Sequence, residues 1–192
     1  MKRQHTMKDR RDDLYETHPV ATNAFIKHHK DYIPEKVWEC AAGRGAISRI
    51  LKDNGYSVVA TDLNQHDGAD DYIESSIDFL MEYSSRADMI ITNPPYKLAN
   101  AFIRHALSLD CRFAGLMPLA YLSGANRFDI LRHCTHCYVG IERLPMMHRE
   151  GWSGPKIDSS AIPFAWFVFD VNYRSDTIPI KRISWREAQS NL

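Results

Sequence analysis

Long apolar runs are missing from this chain of 192 residues. No stretch approaches the ~18 uninterrupted apolar residues of a membrane span, so no membrane partner is expected. Cysteine is scarce: four in this length do not make a disulfide framework. The charged residues 1–13 lack the apolar core of a secretory signal, and the two absences together predict a cytoplasmic protein. Net charge is missing as well, because 24 basic and 24 acidic side chains cancel. Taken alone, that balance counts mildly against a nucleic-acid partner. There is no repeat, no low-complexity tract and no Pro/Gly/Ser linker dividing two bodies. What is present, 44% hydrophobic and 25% charged residues, suits one globular domain with a sizeable core.

The zero conceals a partition. Residues 1–11 carry a net charge of +4, residues 12–96 a net of −8, and residues 97–192 a net of +4. Basic ends flank an acidic middle, an arrangement that offers a polyanion somewhere to dock; a merely solvated flank is the plain alternative. Residues 1–14 read as a basic tail, 15–175 as the main domain and 176–192 as a C-terminal extension.

Periodicity predicts strands alternating with helices. A helix begins near Pro19 and stops before Pro34. Residues 37–40 form a short buried strand, followed by a glycine turn and a helix over 46–54 closed by Gly55. Strands follow at 56–61, 88–92 and 113–119, with helices at 73–83, 98–109 and 127–132. Residues 138–144 and 164–171 read as a closing antiparallel pair. The expectation is an α/β fold: a single Rossmann-like, doubly wound, mostly parallel sheet covered on both faces.

Glu39-Cys40-Ala41-Ala42-Gly43-Arg44-Gly45 lies between a predicted strand and a predicted helix. Glycines there bend the backbone tightly and let a ligand approach the main chain. Asp62 ends the next strand, seventeen positions after Gly45. That is close to the ~20-residue separation of a carboxylate that holds ribose hydroxyls. A dinucleotide fits poorly, because Ser48 stands where its third glycine belongs. Glu39 at the head of the turn would also repel a pyrophosphate while suiting a cationic or amine-bearing ligand. S-adenosylmethionine carries an ammonium and a sulfonium and no phosphate.

Asn93-Pro94-Pro95-Tyr96 follows an apolar strand. Two prolines fix φ at consecutive positions and make a rigid loop at the carboxyl end of that strand, where open α/β sheets bind ligands. The Asn93 side-chain oxygen and the Pro94 carbonyl are two acceptors for one planar NH2 group. They favour positive charge and tetrahedral geometry at that nitrogen, freeing its lone pair to attack a methyl group in line. Tyr96 offers a face on which a flat base stacks.

Together these residues resemble class I S-adenosylmethionine-dependent methyltransferases, within the amino-methyltransferase group that includes DNA adenine-N6 enzymes. The glycine turn is similar to that family's cofactor motif, Asp62 to its ribose-binding acid, and Asp78-Phe79 to the pair flanking the cofactor's adenine. Residues 93–96 match its catalytic tetrapeptide. Residues 15–19 resemble the segment that covers the cofactor's methionine end, and residues 164–169 the late aromatic strand of small, often phage-borne members. The resemblance implies S-adenosylmethionine held by Tyr15, Thr17, Glu39, Ala41, Gly43, Gly45, Asp62, Leu63, Asp78 and Phe79. It implies catalysis at Asn93, Pro94, Pro95 and Tyr96, an extruded base met by Phe102 and Trp152, and DNA as the partner. The same chemistry on RNA bases or a protein glutamine amide stays open, as does a catalytically silent cofactor-binding subunit. Two departures stand out: Cys40 replaces the proline common after the motif's acid, and only residues 120–160 are left for target recognition.

The cluster His133-Cys134-Thr135-His136-Cys137 has the residue types of half a zinc site. No second spaced pair follows to complete four ligands, so no metal is expected. Cytosine-C5 methylation needs a catalytic cysteine, and the chain contains no Pro-Cys pair.

Overall fold

Strand sequences alternate sides, and this is what makes the sheet two-faced. In β1 (Lys36–Glu39) Val37 packs on one face and Trp38 on the other; in β3 (Met89–Thr92) Met89 and Ile91 oppose Ile90. All these side chains are fully buried, as strands covered on both sides require. The computed structural model describes residues 16–145 and 160–188. The basic tail, Tyr15 and Trp152 lie outside the described residues.

Seven strands form one sheet in the order β2-β1-β3-β4-β6-β5-β7. The others are β2 (Ser57–Ala60), β4 (Arg112–Pro118), β5 (Cys134–Gly140), β6 (Phe164–Phe169) and β7 (Ile180–Ile183). Pairing is parallel from β2 through β4, and β5 is parallel to β7. Only β6 runs against its neighbours, inserted between β4 and β5. Helices α1 (Pro19–His29) and α2 (Ala46–Asp53) cover one face, and α3 (Ala99–Ser108) with the single turn α4 (Phe128–Leu131) covers the other. This is the expected doubly wound α/β architecture.

Four local expectations change. Residues 73–83 form no α-helix, only a 3-10 turn at Phe79–Met81. Glu74 instead bridges in parallel beside the end of β2: its N donates to the Ala60 carbonyl at 3.0 Å and Asp62 N donates to its carbonyl at 3.0 Å. The predicted helix at 127–132 shrinks to one turn. The strand expected at 138–144 starts at Cys134, so Cys134 and Cys137 are core residues of β5, both fully buried. Finally, β7 lies within the segment read as an extension and forms the sheet's edge. Its apolar signal is weak because three of its four residues are exposed.

Candidate active site

In the order β2-β1-β3-β4 the connection leaving β1 runs to one side and that leaving β3 to the other, which opens a crevice at the carboxyl ends of β1 and β3. The glycine turn after β1 and the Asn-Pro-Pro-Tyr loop after β3 face each other across it. The crevice holds a cavity of about 520 Å3, within the ~300–1,000 Å3 usual for a small-molecule site.

Glu39 ends β1 at the floor of this cavity and is only 2% exposed. Burial pushes its carboxyl well above the usual carboxylate range, with hydrogen bonding by Ser48 pulling partly back. One of its oxygens, Oε2, is buried with no hydrogen-bond partner. An unsatisfied buried acceptor is costly unless a ligand supplies the donor. The adjacent Cys40 thiol is pushed far up, first by burial and then by the Glu39 charge, which makes it inert as a nucleophile.

Gly43 (φ +58°) and Gly45 (φ +94°) both adopt left-handed backbone. At Gly45 an added Cβ would also stand 2.5 Å from Asp70 Oδ2, so its place is against the 70–73 loop and not on the cavity wall. Gly43 lines the cavity, and its N–H donates to Asp62 Oδ2 at 2.8 Å. The other oxygen, Asp62 Oδ1, accepts from Asn64 N at 2.8 Å and lies 3.2 Å from His66 Nε2. Asp62 therefore ties the glycine turn to the loop after β2, using three of the roughly four acceptor positions of a carboxylate.

Ala41, Leu63, Asp78 and Phe79 all line the same cavity. Asp78 caps the 3-10 turn through Leu80 N at 3.0 Å, which fixes Phe79 edge-on to Trp38 with centroids 5.2 Å apart. Phe102 is 7% exposed and packs on Phe79 at 5.0 Å. It thus stands on the wall beside the Asp78-Phe79 pair.

Across the crevice, Asn93 and Pro95 line the cavity while Pro94 is buried beneath them. Asn93 Nδ2 donates to Thr17 Oγ1 at 3.2 Å, joining residues 76 positions apart. Tyr96 does not line the cavity; its ring lies 5.9 Å from that of Phe164 at the start of β6. Of the site residues read from the sequence, Thr17, Glu39, Ala41, Gly43, Asp62, Leu63, Asp78, Phe79, Asn93, Pro95 and Phe102 converge on one cavity.

Sequence reasoning missed Glu16, His66, Lys97 and Leu98, which also line it. Glu16 pairs with Arg44 of the glycine turn at 3.7 Å. Its place beside Thr17 was a usable signal, whereas His66 sits in an irregular loop with no periodicity to betray it. Among the described residues no group of three or more His, Cys, Asp or Glu side chains is placed to hold a metal ion.

No family model matches the chain, and no curated protein matches its sequence. Solved structures do. A provisionally assigned RNA methyltransferase from Pyrococcus horikoshii superposes with a TM-score of 0.60 at 15% identity, over 82% of this chain and 86% of that one. The fold is that of Rossmann-like methyltransferases. The methyltransferase subunit of a type I restriction-modification system from Streptococcus thermophilus matches with a TM-score of 0.55 at 13% identity, over 89% of this chain and 48% of its own. A SAM-dependent O-methyltransferase from Thermotoga maritima gives 0.54 at 12% identity, over 88% and 71%. At these identities the likeness is one of fold. The neighbours are named for different activities, so the function of this chain has to be argued from its own residues.

Proposed function

We propose that the chain transfers a methyl group from S-adenosylmethionine to an exocyclic amino group, N6 of adenine in DNA. The observation that carries this reading is one crevice with a buried, unpartnered Glu39 oxygen on one side and the Asn93 amide on the other. When bound, S-adenosylmethionine supplies an electrophilic methyl on a cationic sulfur, together with an ammonium, a ribose and a flat base. The residues present fit it. Glu39 offers a carboxylate to an ammonium, and Asp62 lies on the cavity wall where ribose hydroxyls are expected. Asp78, Phe79 and Leu63 offer a polar edge and apolar faces to the base. Tyr15, beyond the described residues, belongs to the same covering segment as Thr17.

The chain's part in the chemistry is electrostatic. The Asn93 Oδ1 and Pro94 carbonyl accept hydrogen bonds from the substrate NH2 and stabilise the positive charge that develops as its lone pair attacks. Tyr96, following the amine-binding pair in the same loop, gives the base an aromatic face, with Phe102 and Trp152 as the further base contacts the family likeness implies. In duplex DNA the adenine must leave the stack to reach this loop.

The test is incubation with cofactor labelled in its methyl group and DNA, RNA or protein, followed by mass spectrometry of the modified residue. N6-methyladenine in DNA, lost in a folded Asn93→Ala variant, is the expected result. Label in RNA or in a glutamine amide would correct the acceptor. Tight cofactor binding with no acceptor labelled would instead make the chain a silent cofactor-binding subunit.

A further inference from the structure

The rigid Asn-Pro-Pro backbone places the Cβ of Asn93, but it does not set the amide plane. The last torsion of an asparagine is broad and roughly two-fold, so oxygen and NH2 are easily misplaced. Something outside the loop has to hold that plane. The Asn93 Nδ2 donates to Thr17 Oγ1 at 3.2 Å. Thr17 is itself 5% exposed and stands just ahead of α1.

That segment is well anchored. Pro19 opens α1 at its first position, and the His18 side chain accepts from Val20 N. The Trp166 indole of β6 donates to the Ala21 carbonyl at 2.9 Å, pinning the first turn of α1 to the sheet. Glu16, paired with Arg44, ties the same segment to the glycine turn. Thr17 is thus a fixed point against which the Asn93 amide is held.

We propose that Thr17 is a positioning residue: its hydroxyl holds the Asn93 amide plane, so that Oδ1, on the arm opposite the bonded Nδ2, is aimed at the substrate amine. The proposal rests on the reading of Asn93 as the amine-binding residue. It departs from the role the family likeness gives Thr17, which is contact with the cofactor alone. The two roles separate kinetically. A cofactor contact acts on cofactor affinity, while a misaligned acceptor acts on the chemical step.

Thr17→Val keeps the volume and removes the oxygen, Thr17→Ala removes it without adding a methyl, and Thr17→Ser retains it. The expected result is a kcat lowered roughly 10- to 100-fold in the valine and alanine variants. Cofactor and acceptor KM should stay within about threefold, and the serine variant should stay close to the parent. A kcat unchanged at saturating cofactor, with only the KM raised, overturns the proposal.

A second measurement does not depend on turnover. In 15N-labelled protein the Asn93 side-chain amide protons, assigned by their loss in Asn93→Asp, should resist exchange with solvent in the parent and in Thr17→Ser. They should exchange faster in Thr17→Val and Thr17→Ala. Equal protection in all four proteins overturns the proposal. A protected amide in a parent protein that methylates no amine would refute the proposed function while leaving the Thr17–Asn93 link standing.

Discussion

Glu39 carries opposing demands. Folding buries its carboxyl almost completely, and the resulting desolvation raises its pKa well above the usual range. An unfolded glutamate ionises near pH ~4.3. Between that value and the raised folded one, unfolding releases a proton, so the ligand-free protein loses stability as pH rises through the window. Glu39→Gln removes this penalty. The ligand-free variant should melt about 2–4 °C higher at neutral pH, the shift that ~1 kcal/mol produces in a chain of this size. The same substitution deprives an ammonium of its counter-charge. Affinity for S-adenosylhomocysteine, measured by calorimetry, should fall roughly tenfold or more, a loss of ~1.4 kcal/mol or greater. In the parent that affinity should strengthen as pH rises through the raised Glu39 pKa, and in Glu39→Gln this dependence should disappear. Higher stability with weaker binding is the signature of a residue kept for its ligand.

At the scale of elements, β7 is the piece that sequence patterning hid. Its strand is mostly exposed, yet it delivers Trp185, 2% exposed, into the core formed with α1 and β6. Glu142, just beyond β5, receives that end: Ser184 Oγ donates to its Oε1 at 2.7 Å, Trp185 N to its Oε2 at 3.0 Å, and the indole to its carbonyl at 2.9 Å. Gly140 has no side chain because the Trp185 indole occupies the place of a Cβ. Trp185→Ala should therefore cost about 3–5 kcal/mol by urea denaturation, and deletion of residues 176–192 more. Recovery of parental stability in either would mean that β7 is an appendage. The converse failure, the missing helix at 73–83, has the same origin. Local periodicity favoured a helix, but Glu74 found its backbone partners in Ala60 and Asp62, and sheet pairing overrode propensity.

At the scale of the whole molecule the charge partition regains importance. The −8 segment contains Glu16, Glu39, Asp62 and Asp78, the acids around the cavity proposed for a cationic cofactor. The two +4 segments lie before and after it in sequence. If the acidic middle serves the cofactor and the basic ends serve a polyanion, removing residues 2–11 should weaken binding to a DNA duplex at low salt. The slope of log K against log salt should become shallower by up to about 3–4, the counterion release of four phosphate contacts. Methylation of a free adenine nucleoside should be untouched. An unchanged salt slope would make the tail a solvated flank.

Most of the fold was legible in residue order: β1 to β4 and α1 to α3 stand where apolar periodicity and the glycine and proline punctuation put them. The parts of the candidate site were legible for the same reason, because a strand-end acid, a glycine turn and a rigid Asn-Pro-Pro loop are local devices whose neighbours in sequence build them. What the sequence by itself determined is therefore the set of parts and their type. Only the tertiary structure decided which parts meet: that Thr17 reaches Asn93, that Asp62 ties the glycine turn, that Phe102 stands beside Phe79 and that Tyr96 stands near Phe164. Each of these joins residues far apart in the chain through a single contact, and such a contact leaves no period, spacing or composition for a linear reading to detect.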